Sequence, residues 1–249
     1  MALRRIGFSL NPHNEAARLA LDRAEAWCTA HHVESWNSPS HDADAISTAC
    51  PGTDLVCVLG GDGTFLRTAQ AIGDSGVPAL GVNLGRVGFL AKIENADLER
   101  VLDQVHAGQY TVEDRFRIEA TVIGADGSST HACLNEVVVA TPTGSTAYSF
   151  SAGGAVLDPR LRNMIITPVA GYLSPLHSVV AGERHVVRLT LRDAHQGAIV
   201  SVDGQTDLPI SPGDRVEVRA LPAPLRLIEP EGSTPFYDLL RTKASLLPY

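Results

Sequence analysis

Aromatic residues, cysteines and positive charge are all scarce in this sequence of 249 residues. Phe, Trp and Tyr make up 5% of it, so the hydrophobic core has to rest mainly on Val, Leu, Ile and Ala. Its 20 Lys and Arg residues face 28 Asp and Glu residues, which gives a formal net charge of -8. A general nucleic-acid binder normally carries a basic face, so this balance argues against a nucleic-acid partner. Phosphate ligands stay open, because helix N-termini bind anions without basic side chains.

The sequence also gives no sign of a disulfide scaffold, a metal-binding cage or a membrane-spanning segment. The four cysteines have neither CxxC spacing nor the density of a disulfide framework. Two of them lie in apolar runs, where a buried thiol is the usual outcome. Apolar stretches stay short of the roughly 20 residues that span a membrane, and Asn11-Pro12 interrupts the first run too early for a signal peptide. We therefore expect a soluble protein in a reducing cytoplasm, with no membrane partner.

The first hundred residues alternate between strand and helix patterns. Asp54–Leu59 is continuous, apolar and rich in β-branched residues, as in a parallel strand covered on both faces. The other strand candidates are Ile6–Leu10, Val33–Asn37 and Val77–Asn83, and the helix candidates cover 17–28, 65–72 and 98–105. Such alternation predicts an open α/β domain of Rossmann-like type, which we assign to residues 1–108.

Beyond Tyr110 the hydrophobic period changes to two. Ile118, Ala120 and Val122 alternate with polar neighbours, and turn signals such as Asp203-Gly204 separate further short runs. Those runs are Leu134–Ala140, Val186–Leu191, Ala198–Val202, Arg215–Arg219 and Leu225–Glu229. The pattern predicts a β-rich, sandwich-like domain over 109–230. A closing helix in the remaining segment, 231–249, is expected to pack back on the N-terminal domain.

A glycine-rich turn joins the strongest strand to a helix. It consists of Gly60, Gly61, Asp62, Gly63 and Thr64. Glycines let the backbone approach a ligand closely, and the helix N-terminus supplies N–H groups and a positive dipole, so anions bind well there. The spacing matches neither GxGxxG nor a P-loop. Asp62 would repel a phosphate unless it served a hydroxyl or a metal; the alternative is a structural turn in which Asp62 caps the helix.

The next strand also ends in a glycine-bearing loop, which carries Asn83, Arg86 and Phe89. Ligands of open α/β sheets bind beyond the carboxyl ends of the strands, so two such loops in succession predict one shared crevice. Phe89 is either part of the core or one wall of a base pocket.

A third candidate element lies in the β-rich half. Asn135-Glu136 precedes a run of small hydroxylated residues, Thr141–Ser149, around Gly144. Such residues can donate to phosphates or to ribose without bulk, and the carboxylate of Glu136 suits a ribose diol. Tyr148 can stack on a base. The alternative is an ordinary solvated turn.

Taken together, the motifs resemble those of the NAD kinase family over nearly the whole chain. They occur in the family's order as GGDGT, NLGRVGFLA, LNE, TPTGSTAYS followed by SAGG, and SVDGQ. Related GGDGT turns occur in diacylglycerol and sphingosine kinases and in phosphofructokinases, whereas TPTGSTAY is more particular. The resemblance implies a transferase that moves the γ-phosphate of ATP, or of inorganic polyphosphate, to the 2′-hydroxyl of the adenosine ribose of NAD, giving NADP. It further implies an active site between the two domains, Mg²⁺ or another divalent cation with ATP, and a homodimer or homotetramer.

The resemblance also implies roles for individual residues. Asp62 is expected to accept the proton of the reacting hydroxyl, and the glycines around it to cradle the donor's phosphates. Phe89 is expected near the adenine, and Asn135 and Glu136 at the ribose and adenine. The complete set of expected binding residues is Gly60, Gly61, Gly63, Thr64, Arg67, Phe89, Asn135, Glu136, Thr143, Ser145, Thr146, Ala147, Tyr148, Ser151, Ala170 and Asp203. No His, Cys or Asp cluster has the spacing of a protein metal cage.

Two departures from the family pattern keep alternatives open. LNEVVVA runs directly into TPTG, whereas relatives have a hairpin and an Asp-Gly segment between them, so either a subdomain is trimmed or residues are absent from this form of the chain. TPVAGYLSPLH stands where relatives usually have a Pro-His-Ser-type stretch. The shortened segment is the best support for one rival, a dinucleotide-binding regulatory protein that has lost catalysis. The other rival, a lipid or sphingoid-base kinase, would need a membrane-binding amphipathic face that this acidic chain does not show.

Outside these motifs, we expect the histidines and arginines to occupy solvated positions. His31, His32 and His106 lie at helix ends, where solvated positions are usual. Arg115 and Arg117 lie in a strand-like region, where surface positions are expected; the alternative is that they counter the charge of substrate phosphates.

Overall fold

The computed structural model of the chain describes residues 3–85, 88–125, 127–133, 139–168, 177–192 and 198–244. Two compact units are present: Met1–Asp114 with Leu225–Tyr249, and Arg115–Pro224. Their limits differ from the sequence-based 109–230, because the strand at 225–230 is hydrogen-bonded into the sheet of the first unit.

The described elements run in chain order as follows. The strands are β1 Arg5–Leu10, β2 Glu34–Pro39, β3 Leu55–Leu59, β4 Ala79–Asn83, β5 Ile93–Glu94, β6 Tyr110–Arg115, β7 Ile118–Gly124, β8 Gly127–Cys133, β9 Val139–Ala140, β10 Asn163–Ile166, β11 Val179–Gly182, β12 Val187–Thr190, β13 Ala198–Val202, β14 Thr206–Ile210, β15 Arg215–Ala220 and β16 Leu225–Pro230. The α-helices are α1 Glu15–Ala30, α2 Ala43–Ala49, α3 Asp62–Ile72, α4 Leu98–His106, α5 Tyr148–Ser151 and α6 Phe236–Ala244, and single 3-10 turns lie at Asn95–Asp97 and Gly144–Thr146.

The first unit is built on one sheet in the order β2-β1-β3-β4-β16-β6, with β5 also paired to β4. β1, β2, β3, β4, β5 and β16 pair in parallel where their registers are defined. Parallel strands place their carboxyl ends at one edge of the sheet. The loops after β3 and β4 therefore lie side by side, and Gly60 N–H donates to Val82 O at 2.9 Å.

Helix α1 shows why the sequence builds this unit as it does. Asn14 caps the helix by accepting from two amides of its first turn. The buried face then carries Ala17, Ala20 and Ala24, whose small side chains allow the helix to approach the sheet closely. In the sheet, β3 is buried along its full length, as its apolar sequence predicts.

The described thiols behave as small core residues, which confirms the interpretation of the apolar cysteines. Cys28, Cys50 and Cys57 are free and buried. Burial raises the pKa of Cys28 to about 11 and raises the pKa of Cys57 further. None of the described helices is both long enough and apolar enough to cross a membrane.

The second unit is β-rich, which together with the first unit confirms the α/β-plus-β class. Its described strands form sheets in the orders β12-β15-β7-β8 and β11-β10-β9, with β13 and β14 as a hairpin. Ile118, Ala120 and Val122 of β7 all point into the core, as the period of two predicts. Residues 134–138 of the predicted strand Leu134–Ala140 lie outside the described residues, and β9 is its described end.

The expectation of surface positions for two arginines was wrong. Arg115 and Arg117 are buried, with 2% and 5% of their surface exposed, because elements distant in sequence can cover a strand position in a way that its own periodicity does not reveal. His31 is exposed, as expected, and it also stacks on Trp27 at 4.2 Å. His106 is half-buried and meets the same ring edge-on at 5.7 Å. His32 is exposed, as expected.

Candidate functional site

The glycine turn after β3 begins helix α3 without a side-chain cap. Gly61 is the N-cap residue, and the first backbone bond of the helix runs from Phe65 N–H to Gly61 O at 3.0 Å. The preceding N–H groups of the first turn therefore have no intrahelical acceptor. A Cβ placed on Gly61 or Gly63 would meet no described atom within 4 Å. A helix N-terminus whose first amides have no intrahelical acceptor, with open space beside its glycines, suits an anionic group.

Gly60 and Thr64 belong to the packing behind this turn. A Cβ on Gly60 would lie 2.6 Å from Thr64 Oγ1, so the glycine makes room for the threonine side chain. Thr64 is buried. The turn is thereby packed against its own helix.

Asp62 binds the loop after β4. Its Oδ2 accepts from Phe89 N–H at 2.8 Å, and its Oδ1 accepts from Leu90 N–H at 3.1 Å and Ala91 N–H at 3.0 Å. No described side chain caps α3, so Asp62 is not the capping residue that the structural alternative required. It is instead a carboxylate at the first position of α3, held by three amides of the loop after β4.

Arg67 supplies positive charge one turn further along α3. Its Nε donates to Ser40 Oγ at 3.4 Å, a long hydrogen bond. Ser40 directly follows β2, so this contact is also at the carboxyl edge of the sheet. Among the described carboxylates none pairs with Arg67, which leaves most donors of its guanidinium for a ligand.

Asn83, to which the sequence motifs assign no role, ends β4 at the same edge. Only 4% of its surface is exposed. Its Oδ1 accepts from Gly85 N–H at 3.1 Å, whereas its buried Nδ2 has no partner among the described residues. A polar residue at the end of an otherwise apolar strand was the sequence signal for it. An unpaired buried amide is costly unless a ligand or water satisfies it.

Phe89 is partly buried and contacts the C-terminal helix. Its ring centroid lies 5.9 Å from that of Phe236, and Lys243 Nζ lies 4.7 Å from it in a cation–π arrangement. Three residues further along the loop, Lys92 Nζ binds Glu229 Oε1 of β16 at 2.7 Å. The loop that holds Asp62 is thus supported by the segment 225–244.

In the second unit, the Ser/Thr-rich loop is folded by its own hydroxyls. Ser145 Oγ donates to Pro142 O at 2.7 Å and accepts from Leu157 N–H at 2.9 Å. Thr146 Oγ1 donates to Thr143 O at 3.2 Å. Thr143 Oγ1, by contrast, is buried and has no partner in the described part of the chain. Ser145 therefore shapes the loop, whereas the Thr143 hydroxyl makes no hydrogen bond to a described residue.

The remaining predicted residues of this unit differ in exposure. Ala147 is the N-cap residue of the short helix α5, and Ser151 is its last residue. Tyr148 on that helix is 59% exposed, so its ring is accessible for stacking. Asp203 is buried in the β13–β14 turn with φ 52°, a conformation that Asp tolerates better than most residues. Asn135, Glu136 and Ala170 lie outside the described residues, as does Arg86.

Comparisons with known proteins cover both units. The profile of the ATP-NAD kinase N-terminal domain matches residues 1–110, and that of the ATP-NAD kinase C-terminal domain matches residues 57–230. The NAD kinase of Heliobacterium modesticaldum is 34% identical, with 96% of this chain and 97% of that protein aligned. That of Symbiobacterium thermophilum is 37% identical over 77% of this chain and 78% of its own. The Heliobacterium alignment extends over 277 positions, more than the 249 residues here, so it contains residues that only the relative has.

Two solved structures share the fold. Yeast NADH kinase complexed with NADH superposes with a TM-score of 0.79 at 23% identity, covering 99% of this chain and 88% of that one. An NAD kinase from Archaeoglobus fulgidus in complex with ATP gives a TM-score of 0.71 at 22% identity, covering 98% and 100%.

Proposed function

The chain belongs to the ATP-NAD kinase family, and we propose that it transfers the γ-phosphate of ATP to the 2′-hydroxyl of the adenosine ribose of NAD, giving NADP. Such an enzyme is a phosphotransferase with an alcohol group as acceptor. Support comes from the two family profiles and from curated relatives of 34–37% identity that carry the name NAD kinase. No observation favours the rival of a binding-only protein, since Asp62 and its glycine turn are intact.

The observation that carries the proposal is a carboxylate beside an uncapped helix N-terminus. Phosphoryl transfer depends mainly on positioning and charge neutralisation, with a base that orients the nucleophile. The free amides at the start of α3 suit the phosphates of the donor, and Arg67 and the unpaired Nδ2 of Asn83 add donors at the same edge. Asp62 accepts hydrogen bonds from three backbone amides. A carboxylate has about four lone-pair positions, so one is left to accept the hydroxyl proton.

We propose that the loop of the second unit binds the dinucleotide. The unpartnered hydroxyl of Thr143 and the accessible ring of Tyr148 support this role. The other residues proposed to take part are Asn135, Glu136, Ser145, Thr146, Ala147, Ser151, Ala170 and Asp203, with Phe89 of the first unit at the adenine.

We propose that Mg²⁺, or another divalent cation, enters with ATP as part of the substrate. Within the described residues, no three His, Cys, Asp or Glu side chains gather closely enough to hold a metal ion. Three amides occupy most of the lone-pair positions of the Asp62 carboxylate. Mg²⁺ commonly binds through substrate phosphates with few protein ligands, where it offsets phosphate charge.

The test is NADP formation by the purified protein from NAD and Mg-ATP, read out with an NADP-specific dehydrogenase. Parallel reactions replace ATP by inorganic polyphosphate, and NAD by NADH, to define the donor and the acceptor. Turnover above that of an Asp62→Ala control supports the proposal. Binding of NAD or NADP by calorimetry without turnover with either donor would instead support the binding-only protein.

We further propose a homodimer or homotetramer in the cytoplasm. Val179, Val180, Val186 and Ile199 of the second unit are exposed aliphatic residues, a composition that suits contact with another copy. Buried free thiols suit a reducing compartment. Light scattering coupled to gel filtration tests the assembly, and cell fractionation tests the location; a monomer at micromolar concentration would contradict the first.

A further inference from the structure

The carboxylate of Asp62 is held by a loop that has been shaped around it. Three consecutive amides, those of Phe89, Leu90 and Ala91, converge on its two oxygens at 2.8–3.1 Å. The loop closes on itself through Gly88 N–H, which donates to Ala91 O at 3.0 Å. A side chain with one rotamer fixed by several donors is preorganised, since it need not be reoriented when a substrate arrives.

Gly88 is the residue that makes this arrangement possible. A Cβ added to Gly88 would lie 1.9 Å from Asp62 Oδ1 and 2.5 Å from its Cγ, closer than non-bonded atoms can approach. The backbone of Gly88 is outside the left-handed region that favours glycine. Alanine at position 88 therefore requires the Asp62 carboxylate to move, whereas the φ angle of Gly88 does not disfavour it.

Gly85 in the same loop offers a contrast. It too is outside the left-handed region, but a Cβ placed on it would meet no described atom within 4 Å. Its only described hydrogen bond uses the backbone N–H, which alanine retains. Gly85→Ala is therefore the same substitution, three residues before Gly88 in the same loop, at a position where the added methyl group does not contact Asp62.

We propose that Gly88, with the amides of Phe89–Ala91, is a positioning element for the reaction: it sets the orientation of Asp62 toward the acceptor hydroxyl. The inference rests on the proposed function, because it assigns a purpose to the orientation of Asp62. It adds Gly88 to the residues on which turnover depends, although Gly88 itself touches neither substrate.

The test is a double-mutant cycle between Gly88→Ala and Asp62→Ala, with Gly85→Ala as the matched control. Each variant is assayed for kcat and KM with NAD and Mg-ATP, for NAD affinity by calorimetry, and for melting temperature. Because groups that act as a unit are strongly non-additive, Gly88→Ala should lower kcat by about 100-fold in the wild-type background. In the Asp62→Ala background, which lacks the carboxylate, it should change kcat less than twofold. Gly85→Ala should change kcat less than twofold in both.

If Gly88→Ala folds poorly, the melting temperatures of the four proteins in the cycle still test the contact between Gly88 and Asp62. The clash predicts a lowered melting temperature for Gly88→Ala alone and a value equal to that of Asp62→Ala for the double variant. Equal losses from Gly88→Ala in both backgrounds, or a kcat per folded molecule that stays at the wild-type value, would overturn the inference. A wild-type protein that forms no NADP would count against the proposed function only, since the cycle in melting temperature still reports on the Gly88–Asp62 contact.

Discussion

Lys92 Nζ lies 2.7 Å from Glu229 Oε1, with only 8% and 14% of the two side chains exposed. The pair joins the end of the loop that holds Asp62 to β16, which is separated from it by more than 130 residues of chain. Breaking a buried pair by removing one partner leaves an uncompensated charge, which is far more costly than losing a surface ion pair.

We therefore expect Lys92→Met and Glu229→Gln each to lower the free energy of unfolding by about 3 kcal/mol. Urea unfolding at neutral pH measures the change. The double variant should lose clearly less than the sum of the two, because it leaves no charge behind. Arg100→Met, which removes an exposed ion pair with Asp97, is the control and should change stability by less than about 1 kcal/mol. Additive losses would show that the two side chains are independent.

Arg67→Met should weaken donor binding without weakening the fold. Its guanidinium makes one long bond to Ser40, so little intramolecular stabilisation is lost. Loss of a charge-assisted bond to phosphate, worth about 1.5 kcal/mol or more, corresponds to a KM for Mg-ATP raised roughly tenfold or more. Steady-state kinetics at fixed NAD measure this. Arg67→Lys should recover part of the loss, and an unchanged KM in Arg67→Met would remove this residue from the donor site.

Thr143 and Ser145 should separate ligand binding from loop structure. Thr143→Val removes a hydroxyl that has no described partner, so stability should stay within about 0.5 kcal/mol while NAD affinity falls. Ser145→Ala removes a donor to Pro142 O and an acceptor for Leu157 N–H, and should lower stability by about 1–3 kcal/mol. Calorimetric titration with NAD and thermal unfolding distinguish the two. NAD affinity unaffected by Thr143→Val would mean that water, and not the dinucleotide, satisfies this hydroxyl.

Buried thiols predict a loss of stability in alkali. Burial raises the pKa of Cys28 from 9.0 to about 11, so the folded state keeps the proton where the unfolded state has released it. The stability that the protonated Cys28 thiol contributes is complete below pH 9 and is lost as the pH rises toward about 11. At pH 10 the free energy of unfolding is therefore lower by about 1.4 kcal/mol for this one thiol. Urea unfolding under reducing conditions at pH 8 and pH 10 should show a smaller alkaline loss in Cys28→Ala than in the wild type.

Local patterns in the sequence determined most of the elements that carry the site. The apolar run of β3 followed by the glycine turn predicts the strand, the start of α3 and its anion-binding amides, because these depend on neighbours within one helical turn. The period of two predicts β7, β13 and β15, and the closing helix corresponds to α6. Motif resemblance, which compares residues in order along the chain, likewise pointed to the family that the comparisons show.

Only the tertiary structure decided which distant groups meet. Nothing local in the sequence says that Asp62 accepts from amides 27 to 29 residues further on, or that Gly88 is a glycine because of a carboxylate. The return of β16 into the first sheet beside β4, and the burial of Arg115 and Arg117, were likewise invisible to periodicity. Periodicity records which face of an element is apolar, whereas the partner of that face is chosen by packing among all the elements at once.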